Sequence, residues 1–202
     1  MSLQTAESRV SDLRKRDAVG EAWQWIVDLK QQAKSDPKGA EAQLNAIFKL
    51  GTVPTDLDGP TDGILVMTTT TPVLDAAARL VTARWMPWRG KRFDAVASTG
   101  DNRMTASSRL PAKLLWPLYT MKDAADGKLA FDFKTYADAG KADPDVRVMV
   151  IDYADVDDNP RLIIRSIRDE LVEVVPGAYL GKILFRLPRS RYAMLGFFAL
   201  RT

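Results

Sequence analysis

The chain has 202 residues, 46% hydrophobic and 27% charged, with a formal net charge of +3, the balance of one globular domain large enough to bury its own core. It contains neither cysteine nor histidine, which excludes disulfides, thiolate and Ser–His nucleophiles, Cys- or His-ligated zinc, iron–sulfur clusters and His-ligated haem. Enzyme chemistry, if present, falls to Asp, Glu, Tyr, Lys or Ser, and no cofactor or metal motif is apparent.

Residues 1–50 read as helical. Val10 and Leu13 mark a first helix, and Ala22, Trp23, Ile26, Val27, Lys30 and Ala33 share a stripe on a second. Asp36-Pro37 places an N-cap before a proline at the first helical position. Ala40, Leu44, Ile47 and Phe48 then form an apolar face that Gly51 ends. The start, Met1 to Glu7, lacks the apolar centre of a signal peptide, and no apolar run approaches the ~20 residues of a membrane span. A cytoplasmic protein with no stable membrane insertion is expected, and the small net charge gives no reason to expect nucleic acid as a partner.

Residues 51–63 are a connector rich in Gly, Pro, Asp and Thr, followed by a strand over Gly63–Thr68. Thr71-Pro72 opens a helix with Val73, Leu74, Ala77, Leu80, Val81 and Trp85 facing inward. Beyond it the pattern turns to short strands. Arg92–Ala97 is one. Lys128–Tyr136 alternates, with Leu129, Phe131 and Phe133 on one face, and Val146–Tyr153 is strongly β-prone. Val172–Val175 and Tyr179–Phe185 flank Pro176-Gly177, which suits the centre of a type II turn, and Tyr192–Leu200 is the last strand. The expected fold is α+β: an antiparallel β-barrel or strongly curved sheet over 51–202, with the helical segment 1–50 packed on it and the Thr71-Pro72 helix covering one end.

Several constellations are candidates for chemistry. Trp85, Trp88 and Arg89, with Gly90 behind them, suit the rim of a cavity, where rings stack on a ligand and a guanidinium pairs with an anionic head; plugging the core is the alternative. Ser98–Met104 reads as a polar turn that places Asp101, Asn102 and Arg103 near a sheet end. The acidic run 152–160 lacks the spacing of a calcium loop, but Asp152 and Tyr153 end a hydrophobic strand, with Asp152 expected to face inward. Arg168 is expected to form a buried ion pair with Asp169 or Glu170. Asp152, Tyr153, Asp101 and Glu170 are therefore the candidate catalytic groups. Phe131, Phe133, Tyr179, Ile183, Phe185 and Phe198 are candidate lining residues, with Arg103 beside them.

A resemblance narrows the fold. Leu57-Asp58-Gly59-Pro60-Thr61-Asp62-Gly63 puts two glycines four apart before a strand, with Thr61 between them. Trp88-Arg89-Gly90-Lys91-Arg92-Phe93 supplies a Trp-x-Gly-Lys-x-Phe run. Over 57–93 the chain resembles the uncharacterised GXWXG-motif proteins and, more loosely, lipocalin-like barrels. The resemblance implies a small barrel and carries no activity with it.

Three functional readings follow. A barrel of this kind binds a small apolar or amphipathic molecule, lipid-like or an aromatic acid. The same cavity suits a metal-free isomerase, cyclase or lyase using a buried carboxylate or Tyr. The helices or the Trp85–Trp88 loop instead suit a partner protein or membrane surface, though their narrow apolar stripe is expected to pack on the chain's own sheet.

Overall fold

The computed structural model describes residues 3–69, 88–108, 116–161 and 163–202. Three helices come first: α1 (Leu3–Lys15), α2 (Val19–Gln32) and α3 (Pro37–Leu50). Asp36 caps α3, its Oδ1 accepting from the Gly39 amide at 2.9 Å, with Pro37 in the first turn. The buried face of α3 is Ala40, Leu44, Ile47 and Phe48, as the sequence spacing indicates. On α2 it is Ala22, Trp25, Ile26 and Leu29, whereas Trp23, Val27, Lys30 and Ala33 are only half-buried. The stripe expected from the sequence was therefore rotated. Trp23 sits at the edge of the packed face, where the Arg201 guanidinium covers its ring at 4.8 Å. Arg14 of α1 joins the layers, donating to the carbonyls of Leu50 at 2.9 Å and Val174 at 2.8 Å. Among the described residues no helix is long and apolar enough to cross a membrane.

Among the described residues ten strands follow: β1 (Gly59–Pro60), β2 (Asp62–Thr68), β3 (Trp88–Asp94), β4 (Thr99–Met104), β5 (Lys122–Ala124), β6 (Gly127–Ala139), β7 (Arg147–Asp152), β8 (Ile167–Val175), β9 (Ala178–Leu187) and β10 (Arg191–Arg201). They form one sheet in the order β1-β3-β4-β6-β7-β8-β9-β10-β2, with β5 beside β6, and every pairing is antiparallel. β1 and β2 are two halves of one segment. The first half pairs with β3 and the second with β10, so the segment curls the sheet into a nearly closed barrel. At the joint, the Thr61 amide donates to the Lys91 carbonyl at 2.8 Å. Gly90 is needed at this crossing: its φ is 142°, and a Cβ there would stand 2.1 Å from the Thr61 carbonyl oxygen.

Alternation along the strands gives the sheet two apolar faces. Val148, Val150, Val172, Leu180, Phe197 and Ala199 point outward and pack against the three helices. Phe133, Ile151, Leu171, Tyr179, Phe198 and Leu200 point into the barrel. The Pro176-Gly177 turn joins β8 to β9, with Gly177 at φ 87°, and β10 lies next to β9. Two expectations are corrected. Trp88 and Arg89 belong to β3 rather than to a loop, because Trp88 pairs with Met104, Arg89 forms a bulge and Gly90 resumes the ladder opposite Arg103. Thr99–Met104 is a strand rather than a turn. Trp85 and the Thr71-Pro72 helix lie outside the described residues.

Candidate functional site

Inside the barrel, a lysine is buried where apolar side chains otherwise meet. Lys91 is 2% exposed. It faces inward because β3 alternates, with Phe93 on the same face and Arg92 on the other. Its Nζ donates to Asn102 Oδ1 at 3.0 Å, Tyr153 Oη at 2.5 Å and Asp169 Oδ2 at 2.9 Å. Three acceptors around one nitrogen are the geometry of an ammonium. The rings of Trp88, Phe133, Tyr153 and Phe198 surround it, with centroids between 5.2 and 5.8 Å from Nζ. Burial pulls the Lys91 ammonium below its ordinary range, and the charge and hydrogen bond of Asp169 oppose that pull.

The partners come from three other strands or their ends. Asn102 is on β4, Asp169 on β8, and Tyr153 directly follows β7. The Tyr153 hydroxyl donates to Asp169 Oδ2 at 3.1 Å, and its acidity is suppressed well beyond the ordinary range by burial and then by the Asp169 charge. Asn102 accepts from Trp88 Nε1 at 3.1 Å and donates to the Phe131 carbonyl at 3.2 Å. A bulge where β6 passes β4 holds Phe131 at φ 53°, a left-handed value that costs a non-glycine residue energy. That turn points the Phe131 carbonyl at Asn102 and stacks its ring on Tyr119, with centroids 5.1 Å apart.

A cavity of about 140 Å³ opens beside this cluster. Lys91, Asn102, Tyr153 and Asp169 form its polar wall. Its apolar wall includes Trp88, Trp116, Phe131, Ile167, Ile183 and Phe198. Among the described residues, no group of three or more acidic side chains stands close enough together to hold a metal ion.

No family model matches the chain. No curated protein matches it either. It is similar to a protein from Thermomonospora curvata whose crystal structure is solved, at 17% identity over 86% of this chain and 97% of that one, with a TM-score of 0.45.

Of the four carboxyl and hydroxyl candidates, Tyr153 alone borders the cavity. Asp152 was expected inward but faces out, because Ile151 and Tyr153 take the inner positions on either side of it. It accepts from Tyr136 Oη at 3.1 Å and the Ala154 amide at 2.9 Å. Asp101 lies on the outer face with Arg92 at 2.5 Å and Lys122 at 3.3 Å. Glu170 is buried outside the barrel, accepting from Arg168 Nε at 2.9 Å and the Lys141 amide at 2.7 Å. Arg168 therefore pairs with Glu170, while Asp169 points the other way to Lys91.

Of the lining candidates, Trp88, Phe131, Ile183 and Phe198 border the cavity. Phe133, Tyr179 and Phe185 belong to the same interior core without bordering it. Arg89 and Arg103 face away from the cavity, both held by Asp126, through its carbonyl at 2.6 Å and its carboxylate at 2.5 Å respectively. Lys91 and Asp169 are not among the site residues expected from the sequence, where Asp169 is one of two partners for Arg168. The available signal was alternation: Lys91 shares its face with Phe93, and Asp169 shares its face with Ile167 and Leu171.

Proposed function

We propose that the barrel binds a small, mostly apolar molecule about the size of one aromatic ring. The observation that carries this reading is the cavity of about 140 Å³ inside the barrel, with aromatic and branched aliphatic walls and one cluster of polar groups. An apolar cavity of roughly this volume admits benzene, and pockets with a few convergent polar groups are the usual form of a small-molecule site. The volume favours the aromatic part of the expectation over a long acyl chain. The segment resembling the GXWXG proteins supplies both Trp88 and Lys91 to the wall, so the barrel that this resemblance implies and the proposed site draw on the same residues.

The test is native mass spectrometry of gently purified protein, followed by calorimetry with toluene, phenol and benzoate. A co-purified small molecule, or measurable binding of at least one of the three probes, is the expected result. Trp88→Ala is expected to weaken that binding while the protein stays folded. An empty protein that binds none of the three overturns the reading.

A metal-free catalyst is the second reading. Tyr153 Oη and Asp169 Oδ2, 3.1 Å apart at the cavity wall, favour it because a phenol and a carboxylate can pass a proton to and from a bound molecule. Hydrogen–deuterium exchange at carbon next to the carbonyl of small ketones, followed by NMR, tests it. Exchange no faster than in buffer removes it.

A further inference from the structure

The hydrogen bonds of the cavity wall narrow the class of ligand. All three N–H groups of Lys91 are engaged, by Asn102, Tyr153 and Asp169. The Tyr153 hydroxyl donates to Asp169 Oδ2 at 3.1 Å. Both amide hydrogens of Asn102 are committed, to the Phe131 carbonyl and to Tyr153 Oη, each at 3.2 Å. The Trp88 indole N–H donates to Asn102 Oδ1. Every donor in the cluster thus has an acceptor. One acceptor is left over: Asp169 Oδ1 is buried and has no hydrogen-bond partner among the described residues, although Asp169 borders the cavity. An unpaired buried carboxylate oxygen is costly, and a ligand that brings a donor removes that cost.

Charge points the same way. Among the described residues of the cavity wall, Lys91 and Asp169 carry the charges, and at 2.9 Å they neutralise each other. The arginine that suggested an anionic head, Arg89, and the candidate Arg103 are both engaged outside by Asp126. Among the described residues of the wall, a carboxylate entering the cavity would meet no free cation and an unpaired carboxylate oxygen.

We propose that the cavity selects an uncharged, ring-sized molecule bearing one hydrogen-bond donor, a phenol or comparably small alcohol. Its hydroxyl donates to the Asp169 carboxylate while its ring lies against Trp88, Phe131 and Phe198. This rests on the binding reading above and replaces the aromatic acid expected from the sequence with a neutral donor.

Calorimetry of the full chain with phenol, toluene and benzoate at about pH 7, where phenol is neutral and benzoate charged, tests the proposal. Phenol and toluene have nearly the same shape, so they differ chiefly in the donor. Phenol is expected to bind at least ~10-fold more tightly than toluene, with benzoate weakest. In the double variant Lys91→Met/Asp169→Val, whose wall is apolar, the preference for phenol should vanish while toluene still binds. Equal binding of phenol and toluene by the parent protein, or benzoate binding as tightly as phenol, overturns this proposal and leaves the binding reading intact. A double variant that keeps the preference also overturns it, because Asp169 is then not the acceptor. Failure of all three probes to bind to protein that carries no co-purified molecule overturns both. If the double variant does not fold, the parent protein's discrimination between phenol and toluene decides alone.

Discussion

Replacing Lys91 by methionine keeps the length and most of the volume of the side chain but removes the charge. Asp169, with its side chain 6% exposed, is then left as a buried carboxylate with the Tyr153 hydroxyl as its remaining donor within the cluster. Breaking a buried ion pair from one side typically costs about 3–5 kcal/mol, because the surviving charge has lost its countercharge and cannot reach water. That is a large part of the roughly 5–15 kcal/mol by which a domain is stable, and at about 2–4 °C per kcal/mol for a chain of this size it corresponds to a melting point lower by roughly 10 °C. Adding Asp169→Val removes the stranded charge. Replacement of a whole buried pair by packed apolar groups is often neutral or stabilising, so the double variant is expected to recover most of the loss. Urea titrations of the parent, both single variants and the double variant, followed by circular dichroism, give the coupling energy, expected at about 3 kcal/mol. A Lys91→Met protein within about 1 kcal/mol of the parent, or a double variant no better than the single one, refutes the argument. Either outcome would mean that water reaches the cluster and that the cavity wall is not dry.

The Tyr153 phenol is shifted upward in the folded state, chiefly by burial, so above pH 10 the unfolded chain releases a proton that the folded chain keeps. Its contribution to stability is full below pH 10 and declines as pH rises, by up to about 1.4 kcal/mol per pH unit. Tyr153→Phe removes that part of the alkaline slope. Denaturation curves of both proteins at about pH 9 and pH 11 measure it, and parallel slopes would contradict the burial of the hydroxyl. Gly181→Ala puts a methyl group 2.1 Å from the Phe198 ring. It is expected to cost about 1–3 kcal/mol by overpacking, and, because Phe198 borders the cavity, to weaken toluene binding at the same time. An alanine variant that melts and binds like the parent would mean that the ring has room to move.

The positions of the three N-terminal helices, though not the buried face of α2, and the later strands were legible because a single rule governs each. Asp36-Pro37 starts α3 by capping, Lys128–Tyr136 alternates in sequence although the bulge at Phe131 puts Leu129 opposite Arg103 and off the face of Phe133, and Pro176-Gly177 has the residues that a type II turn requires. The strand β4 was not legible because its inward face carries Asn102 and its outward face Asp101 and Arg103. With polar side chains on both faces, alternation disappears and the segment reads as a loop. The same cause hid the site. At the end of the hydrophobic strand Asp152 was expected inward and Tyr153 takes that face instead, while the charged pair of the cluster, Lys91 and Asp169, lies 78 positions apart and meets only when the sheet curls. Asp169 offered the local rule a nearer cation, Arg168, which the strand geometry sends to the opposite face.

The segment Gly59–Thr68 is a clasp, and its place in the chain sets an order of events. Its second half must wait for β10, and the bond from Thr69 to the Met194 carbonyl spans 125 positions. During synthesis β2 emerges long before its partner exists and has an unpaired edge until β10 arrives. The entropy of closing so long a loop grows only slowly with length, but contacts this distant in sequence make for slow folding. The ring is therefore expected to close late, with Lys91 and Asp169 on strands of an open sheet until it does. The interior cavity depends on the closed ring, and a fragment lacking either half of the clasp is expected not to form it. A molecule that binds only the closed ring stabilises the seam by mass action, so slower hydrogen exchange of the β2–β10 amides would report occupancy from the far side of the barrel wall.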